Sequence, residues 1–265
     1  MKRINSRSNP LYKSLAKLKD SPRERRADKS ALLDGAHLIS AYLDRIGAPR
    51  AVAVADAAQQ DPAIRALLAR TAALEPIVLA DGLFRELSPV TTPTGILAVV
   101  EIPAPKAVPR DIACCLLLED IQDPGNLGGI LRSAAAAGLE HVLLSRGCAD
   151  AWSPRVLRGA MGAHFLLNIV ERAELVVFAE AYAGQVVATA ARAGRSVFET
   201  DLRPATAFAV GNEGAGLTHG LAAQADAEVA IPMPGRMESI NVAAAVAVCL
   251  FERVRQRTAA GDKLS

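Results

Sequence analysis

Aromatic side chains are scarce: one Trp, three Tyr and six Phe make up 4% of 265 residues. The 51% apolar content must therefore pack as Ala, Val, Leu and Ile, a composition suited to an α/β protein. Few rings are available for stacking on bases, and no RNP-type aromatic motif is present. No apolar run reaches the ~18 to 20 residues that span a bilayer, so no membrane partner is expected. The opening MKRINSRSNP is basic but has no apolar segment behind it, so it does not read as a secretory signal. A cytoplasmic protein is expected. Only four cysteines occur, Cys114, Cys115, Cys148 and Cys249. None has metal-ligand spacing, so no metal is expected, and reduced thiols packed as small hydrophobes are the simplest reading.

Net charge is also small, at +2, but it is unevenly spread. Residues 1–30 hold ten Lys or Arg against three Asp or Glu, leaving 20 basic and 25 acidic residues in the remainder. A basic N-terminal arm on a mildly acidic body suits a polyanionic partner, and it equally suits a solvated tail.

A 265-residue chain accommodates one large domain or two ordinary ones. The proline-rich segment 101–111, EIPAPKAVPRD, reads as a linker. Residues 1–100 ahead of it form a small α/β module, with apolar runs at 51–55, 77–80 and 96–100 and a helix expected over 29–46. Beyond it, residues 112–265 alternate short apolar runs (112–118, 141–145, 165–170, 186–190, 208–210, 229–231) with helical patterns (126–138, 154–162, 174–183, 216–224, 241–257). Such alternation predicts a parallel sheet covered on both faces. Ligands in such sheets bind outside the carboxyl ends of the strands, so the loops that follow strands are the ones to read.

Three of those loops are unusual. In DPGNLGGILR, a helix opens with Asn126 and carries two glycines in its first turn, each unfavourable by roughly 1 kcal/mol against alanine. Leu127, Ile130, Leu131 and Ala134 share the packed face, while Arg132 sits over Gly128 on the outer one. Exposed N–H groups, a guanidinium and no obstructing Cβ suit a phosphate; an N-capped helix with glycines for close packing is the alternative. In GNEGAGL, Glu213 stands between glycines at the end of a strand, where it can fix a ligand or hold an arginine. In IPMPGRMESINV, a stiff loop leads to Ser239 and Asn241, of which helix capping explains only one. That loop offers carbonyls and apolar surface, which suit an adenine ring better than a polyphosphate.

Taken together, Asn126-x-Gly128-x-x-x-Arg132, GNEGAGL around Glu213 and Ser239-Ile240-Asn241-Val242 resemble, in order and at suitable separations, the three motifs of the SpoU (TrmH) family of RNA ribose methyltransferases in the SPOUT superfamily. The segment from residue 9 to residue 35 also resembles, more loosely, the small α/β substrate-binding domain often fused ahead of that family, although Asp34-Gly35 stands where Glu-Gly is more usual. The resemblance implies a deep trefoil knot in the C-terminal domain, S-adenosylmethionine bent within it, a homodimer that completes the site, and methyl transfer to a ribose 2′-hydroxyl of ribosomal or transfer RNA, with ribosomal RNA favoured. It makes Arg132 the catalytic arginine, with Asn126, Glu213, Ser239 and Asn241 as companions. The cofactor is then held by main-chain groups around Gly211, Ile231 and Ile240, with Thr189 as a weaker candidate. Arg7, Lys13, Lys17, Arg25, Arg26 and Lys29 become candidate phosphate contacts, joined by Lys19 and Arg23.

The chemistry expected of Arg132 is to hold an RNA phosphate and stabilise the developing alkoxide. The phosphate or an ordered water then accepts the proton. A non-catalytic RNA-binding or ribosome-assembly protein that kept the fold is the rival reading. A nicotinamide-dependent oxidoreductase lacks the G-x-G-x-x-G fingerprint after a first strand. His141, His164 and Trp152 read as structural or packing residues.

Overall fold

The computed structural model describes residues 2–71, 73–90 and 92–261. The chain divides into two compact units, Met1–Ala104 with Trp152–Phe165, and Pro105–Ala151 with Leu166–Ser265.

The first unit runs β1 (Lys2–Ile4), α1 (Pro10–Asp20), α2 (Pro22–Asp28), β2 (Ser30–Asp34), α3 (Ala36–Arg45), β3 (Ala51–Ala55), α4 (Pro62–Arg70), β4 (Ile77–Leu79), α5 (Asp81–Leu87) and β5 (Ile96–Glu101). Its sheet has the order β1-β4-β3-β5-β2, with β5 antiparallel to both neighbours. Helix α1 is amphipathic: Tyr12, Leu15 and Leu18 are buried while Lys13 and Lys17 face water. The basic N-terminus is therefore no loose arm. β1 joins the sheet edge and α1 covers the core.

The helix expected over 29–46 is two elements. Ser30–Asp34 is a strand paired with β5, and α3 starts only at Ala36. Ala and Leu favour helices in isolation, but here four consecutive residues, Ser30 to Leu33, are buried on both sides, as strands in a sheet interior require. Gly35 marks the break: its φ of +100° is a conformation side-chain-bearing residues avoid.

The second unit contains β6 (Cys114–Leu118), α6 (Pro124–Ala136) and β7 (His141–Leu144). Helix α7 (Pro154–Ala160) follows in sequence but clusters with the first unit, against β2. After it come β8 (Asn168–Val170), α8 (Leu175–Glu180), β9 (Gln185–Thr189), β10 (Arg195–Ser196), β11 (Thr206–Val210), α9 (His219–Ala222), β12 (Ala227–Ala230) and α10 (Val242–Ala259). The sheet is parallel throughout, in the order β10-β12-β9-β11-β6-β7-β8. Every residue of β11 is buried, as expected of a strand inserted at the centre of a covered sheet. The apolar run 165–170 becomes a strand only at Asn168; Ala163–Phe165 is a short 3-10 turn in the first unit. Trp152 and His164 are both buried, with ring centroids 5.0 Å apart. Residues 102–109 have no regular structure, and Asn168 brackets Lys106, accepting from its N–H at 2.8 Å and donating to its C=O at 3.0 Å. Among the described residues, no helix is long and apolar enough to cross a membrane.

Candidate active site

The carboxyl ends of β6, β9, β11 and β12 lie side by side in the second sheet, and the three unusual loops leave from this edge. Pro124 opens α6, and the Asp123 carboxylate caps it by accepting from the Asn126 N–H at 2.8 Å. The helix thus starts two residues earlier than its sequence suggests. The cap leaves the Asn126 side chain free for another task.

That task is set by Asn241, the N-cap of α10. Its Oδ1 accepts from the Ala243 N–H at 2.9 Å, so its amide nitrogen is the group left to donate. It donates to Asn126 Oδ1 at 2.7 Å, and Asn126 Nδ2 in turn donates to Glu213 Oε1 at 2.7 Å. One capping bond therefore fixes the polarity of a chain from Asn241 through Asn126 to Glu213. These residues are separated by 115 and 87 positions in sequence. A carboxylate at the convergence of two helix N-termini is also in a favourable field.

The two glycines can now be explained. A Cβ on Gly129 would lie 3.1 Å from the Ala243 Cβ, so its absence lets the first turns of α6 and α10 approach closely enough for Asn126 to meet Asn241. Gly128 is buried, and no anion can rest over it. The expectation of a bare glycine open to phosphate is not met, because Gly128 is buried and Gly129 packs on Ala243.

Glu213 is presented by a cross-braced turn. Asn212 Oδ1 accepts from the N–H groups of Gly214 and Ala215, and Asn212 Nδ2 donates to the Asp120 C=O at 2.9 Å. The Glu119 carboxylate accepts from the Thr218 N–H at 2.7 Å and from its hydroxyl at 2.9 Å. Gly211 lies beneath, where a Cβ would come within 2.2 Å of the Gly216 carbonyl carbon. Only glycine fits there. Glu119, Asp120 and Asn212 carry this bracing, and sequence reading assigned them no role. The available signal was the acidic pair closing an apolar strand.

The cofactor candidates fall on the same edge. Thr189 ends β9, in register with Val229 of β12, and its hydroxyl donates to the Ala209 C=O at 3.3 Å. Gly211 follows β11 and Ile231 follows β12. Ile240 is 39% exposed and Met237 73% exposed in the loop before α10. Three adjacent strand ends, and an exposed apolar edge beside them, fit a ligand with an adenine ring and a polar tail. No described residue of this edge supplies a competing thiol nucleophile: Cys148 donates to the Leu118 C=O, and burial pushes its thiol pKa up.

Two predicted members stand apart. Arg132 and Ser239 are exposed, and neither side chain has a hydrogen bond or ion pair among the described residues. Of the basic residues in the first unit, Lys13, Lys17, Arg26 and Lys29 are exposed. Arg7 is exposed too, but ion-paired with Glu86. Arg25 is a correction. It is 2% exposed, and its Nη1 donates to the carbonyls of Leu18 and Lys19 at 2.5 and 2.8 Å, closing the end of α1. A guanidinium spent on carbonyls inside the protein is unavailable to phosphate.

Comparison with known proteins agrees with this geometry. Residues 113–251 match the SpoU rRNA Methylase family. The 23S rRNA (guanosine(2553)-2′-O)-methyltransferase RlmP of Bacillus subtilis is 33% identical over 254 residues, covering 95% of this chain and 98% of its own. The 23S rRNA (uridine(2479)-2′-O)-methyltransferase of Streptomyces viridochromogenes is 35% identical over 202 residues, 72% of this chain and 70% of that one. The solved SpoU methyltransferase AviRb of the latter organism, in complex with AdoMet, superposes with a TM-score of 0.81 at 29% identity, over 95% of this chain and 100% of its own. The parallel sheet and its covering helices are thus those of a SPOUT-type α/β fold, with a deep trefoil knot. The chain belongs to the SpoU rRNA methylase family.

Proposed function

We propose that the protein is an S-adenosylmethionine-dependent methyltransferase acting on a ribose 2′-hydroxyl of structured RNA, ribosomal RNA in preference to transfer RNA. The observation that carries this reading is the Asn241–Asn126–Glu213 chain, which draws the three family motifs to one strand edge. When bound, S-adenosylmethionine supplies an electrophilic sulfonium methyl. The protein's task is to align a ribose hydroxyl and relieve it of its proton, and alignment alone can contribute several kcal/mol.

Glu213, with one oxygen committed to Asn126, and Asn241 orient the ribose. Ser239 adds a hydroxyl from the neighbouring loop. Arg132 holds an RNA phosphate and stabilises the developing alkoxide, while the phosphate or a water takes the proton; arginine itself is not deprotonated in proteins. Gly211, Ile231, Ile240 and Thr189 hold the cofactor.

Arg132 lies six residues beyond Asn126 on α6, about 240° around the helix. The same chain's cluster is on another face, which supports a homodimer in which a second copy completes the site. We assign residues 1–100 as an RNA-binding domain, 101–111 as a linker and 112–265 as the methyltransferase domain, in a cytoplasmic protein. Exposed Lys13, Lys17, Arg26 and Lys29 are its phosphate contacts, giving binding that falls steeply with salt.

The test is transfer of labelled methyl from S-adenosylmethionine to ribosomal RNA from cells lacking the gene, followed by mass mapping. A 2′-O-methyl is the expected product; label on a base, or no binding of the cofactor by calorimetry, overturns the reading. Arg132→Lys keeps the charge but loses the planar fork, and methyl transfer is expected to fall about 100-fold. A wild-type rate would refute the proposed role of the guanidinium.

A further inference from the structure

Beside the Asn241–Asn126–Glu213 chain, a cleft of about 280 Å³ opens between the ends of β6 and β11. It is lined chiefly by Glu119, Asp120, Gln122, Asn212, Gly216 and Thr218, and none of the steps above uses it. Its volume is near the lower end of the ~300 to 1,000 Å³ range of small-ligand pockets, enough for a single base.

The walls are fixed. Glu119 accepts twice from Thr218, and Asn212 donates to the Asp120 carbonyl. The Asp120 carboxylate is turned away, accepting from the Ser145 hydroxyl at 2.6 Å and packed so closely under Gly147 that a Cβ there would meet it. Both acceptor bonds of Asn212 Oδ1 go to its own turn. Hydrogen-bonding capacity is left on two side chains. Each Glu119 oxygen accepts one bond and has room for another. Gln122 is exposed, and among the described residues its amide has no partner.

No cation lines this cleft, so it does not suit a phosphate. A fixed carboxylate with spare lone pairs asks for adjacent donors. Guanine presents two, N1–H and the 2-amino group, on one edge. Uracil presents one N–H flanked by two carbonyls, which a carboxylate repels. An amide at Gln122 can then donate to the guanine O6.

We propose that this cleft receives the base of the methylated nucleotide and selects guanine over uracil through Glu119 and Gln122, so that both are specificity residues for the reaction. The proposal rests on the methyltransferase reading and goes beyond it by naming the base. Sequence-specific recognition of single-stranded RNA splays bases out of the stack and hydrogen-bonds their Watson–Crick edges, as base-modifying enzymes do in a closed pocket.

The experiment is titration of the ¹⁵N-labelled protein with guanosine and, separately, with uridine, following the Gln122 side-chain NH₂ and the Thr218 N–H by NMR. Guanosine is expected to shift both signals and uridine neither. Gln122→Leu, an exposed change that leaves the braced walls intact, should abolish the guanosine response. It should also lower kcat/KM on ribosomal RNA about tenfold, with the Kd for S-adenosylmethionine unchanged. Glu119→Gln, which can still accept from Thr218, should narrow the preference for guanosine over uridine. Equal response to both nucleosides, no response to guanosine, or wild-type kcat/KM in Gln122→Leu would overturn this proposal alone. Failure of the wild-type protein to bind S-adenosylmethionine would overturn the methyltransferase reading and this one with it.

Discussion

The loops after β11 and after β12 flank the same strand edge and are built differently. The first, residues 211–218, is tied from below by Gly211, from one side by Glu119 and from the other by Asn126 and Asp120. The second, residues 231–241, is anchored at its end through Asn241, and its other described side-chain contact is an Arg192–Glu238 pair at 3.6 Å with both partners 83% exposed. A group that stabilises a transition state must be in place beforehand. On the proposed reading, the rigid loop is the one suited to position the ribose, and the exposed apolar edge of the other is the one suited to meet a ligand.

Breaking the rigid side should have the largest effect. Glu213→Ala removes the acceptor at the end of the amide chain, and methyl transfer is expected to fall at least ~100-fold in a labelled-methyl assay. Glu213→Gln keeps an acceptor for Asn126 and should recover part of that loss. Full loss in both variants would mean that the charge, not the hydrogen bond, matters. Gly129→Val tests the approach of the helices: overpacking against Ala243 should cost about 1 to 3 kcal/mol in urea unfolding and lower activity by separating Asn126 from Asn241. Gly211→Ala is expected to cost a similar amount and to weaken cofactor binding in calorimetry, because the turn above has nowhere to go.

On the looser side, Arg192→Ala should change stability and cofactor affinity little, within ~0.5 kcal/mol, since exposed pairs contribute little. A large loss would show that the second loop is held as tightly as the first. The smallest effect belongs to the first unit. There the Arg7 guanidinium, by hydrogen bond, and the Tyr12 hydroxyl hold the Glu86 carboxyl down at about 2 from its ordinary 4.5. A depressed carboxyl stabilises the folded state above its unfolded pKa and loses that contribution as pH falls through about 2. Glu86→Gln should therefore lower stability slightly at neutral pH, where the contribution is fully present, remove the slope between about pH 4.5 and 2, and leave stability unchanged below about pH 2.

The strand and helix alternation of the second unit was legible because parallel strands buried on both faces leave continuous apolar runs, and most of these runs became strands within a few residues of their expected ends. β2 was not legible: Ser30–Asp34 is made of residues a helix accepts, and burial by β5, some 65 positions away, decided otherwise. Arg25 was misread for a related reason. Its partners are backbone carbonyls, which every residue carries and no sequence pattern marks.

Residue order along the chain determined which groups are present at the strand edge: two asparagines, a glutamate between glycines, a serine and an arginine, each placed after an apolar run. Folding decided which of them meet. Hydrogen bonds of 2.7 Å tolerate little displacement, and whether Asn126 reaches both Asn241 and Glu213 depends on how closely two helices pack over a glycine. Distances of that kind are set by side chains from every layer of the core at once, and no local stretch of sequence contains them.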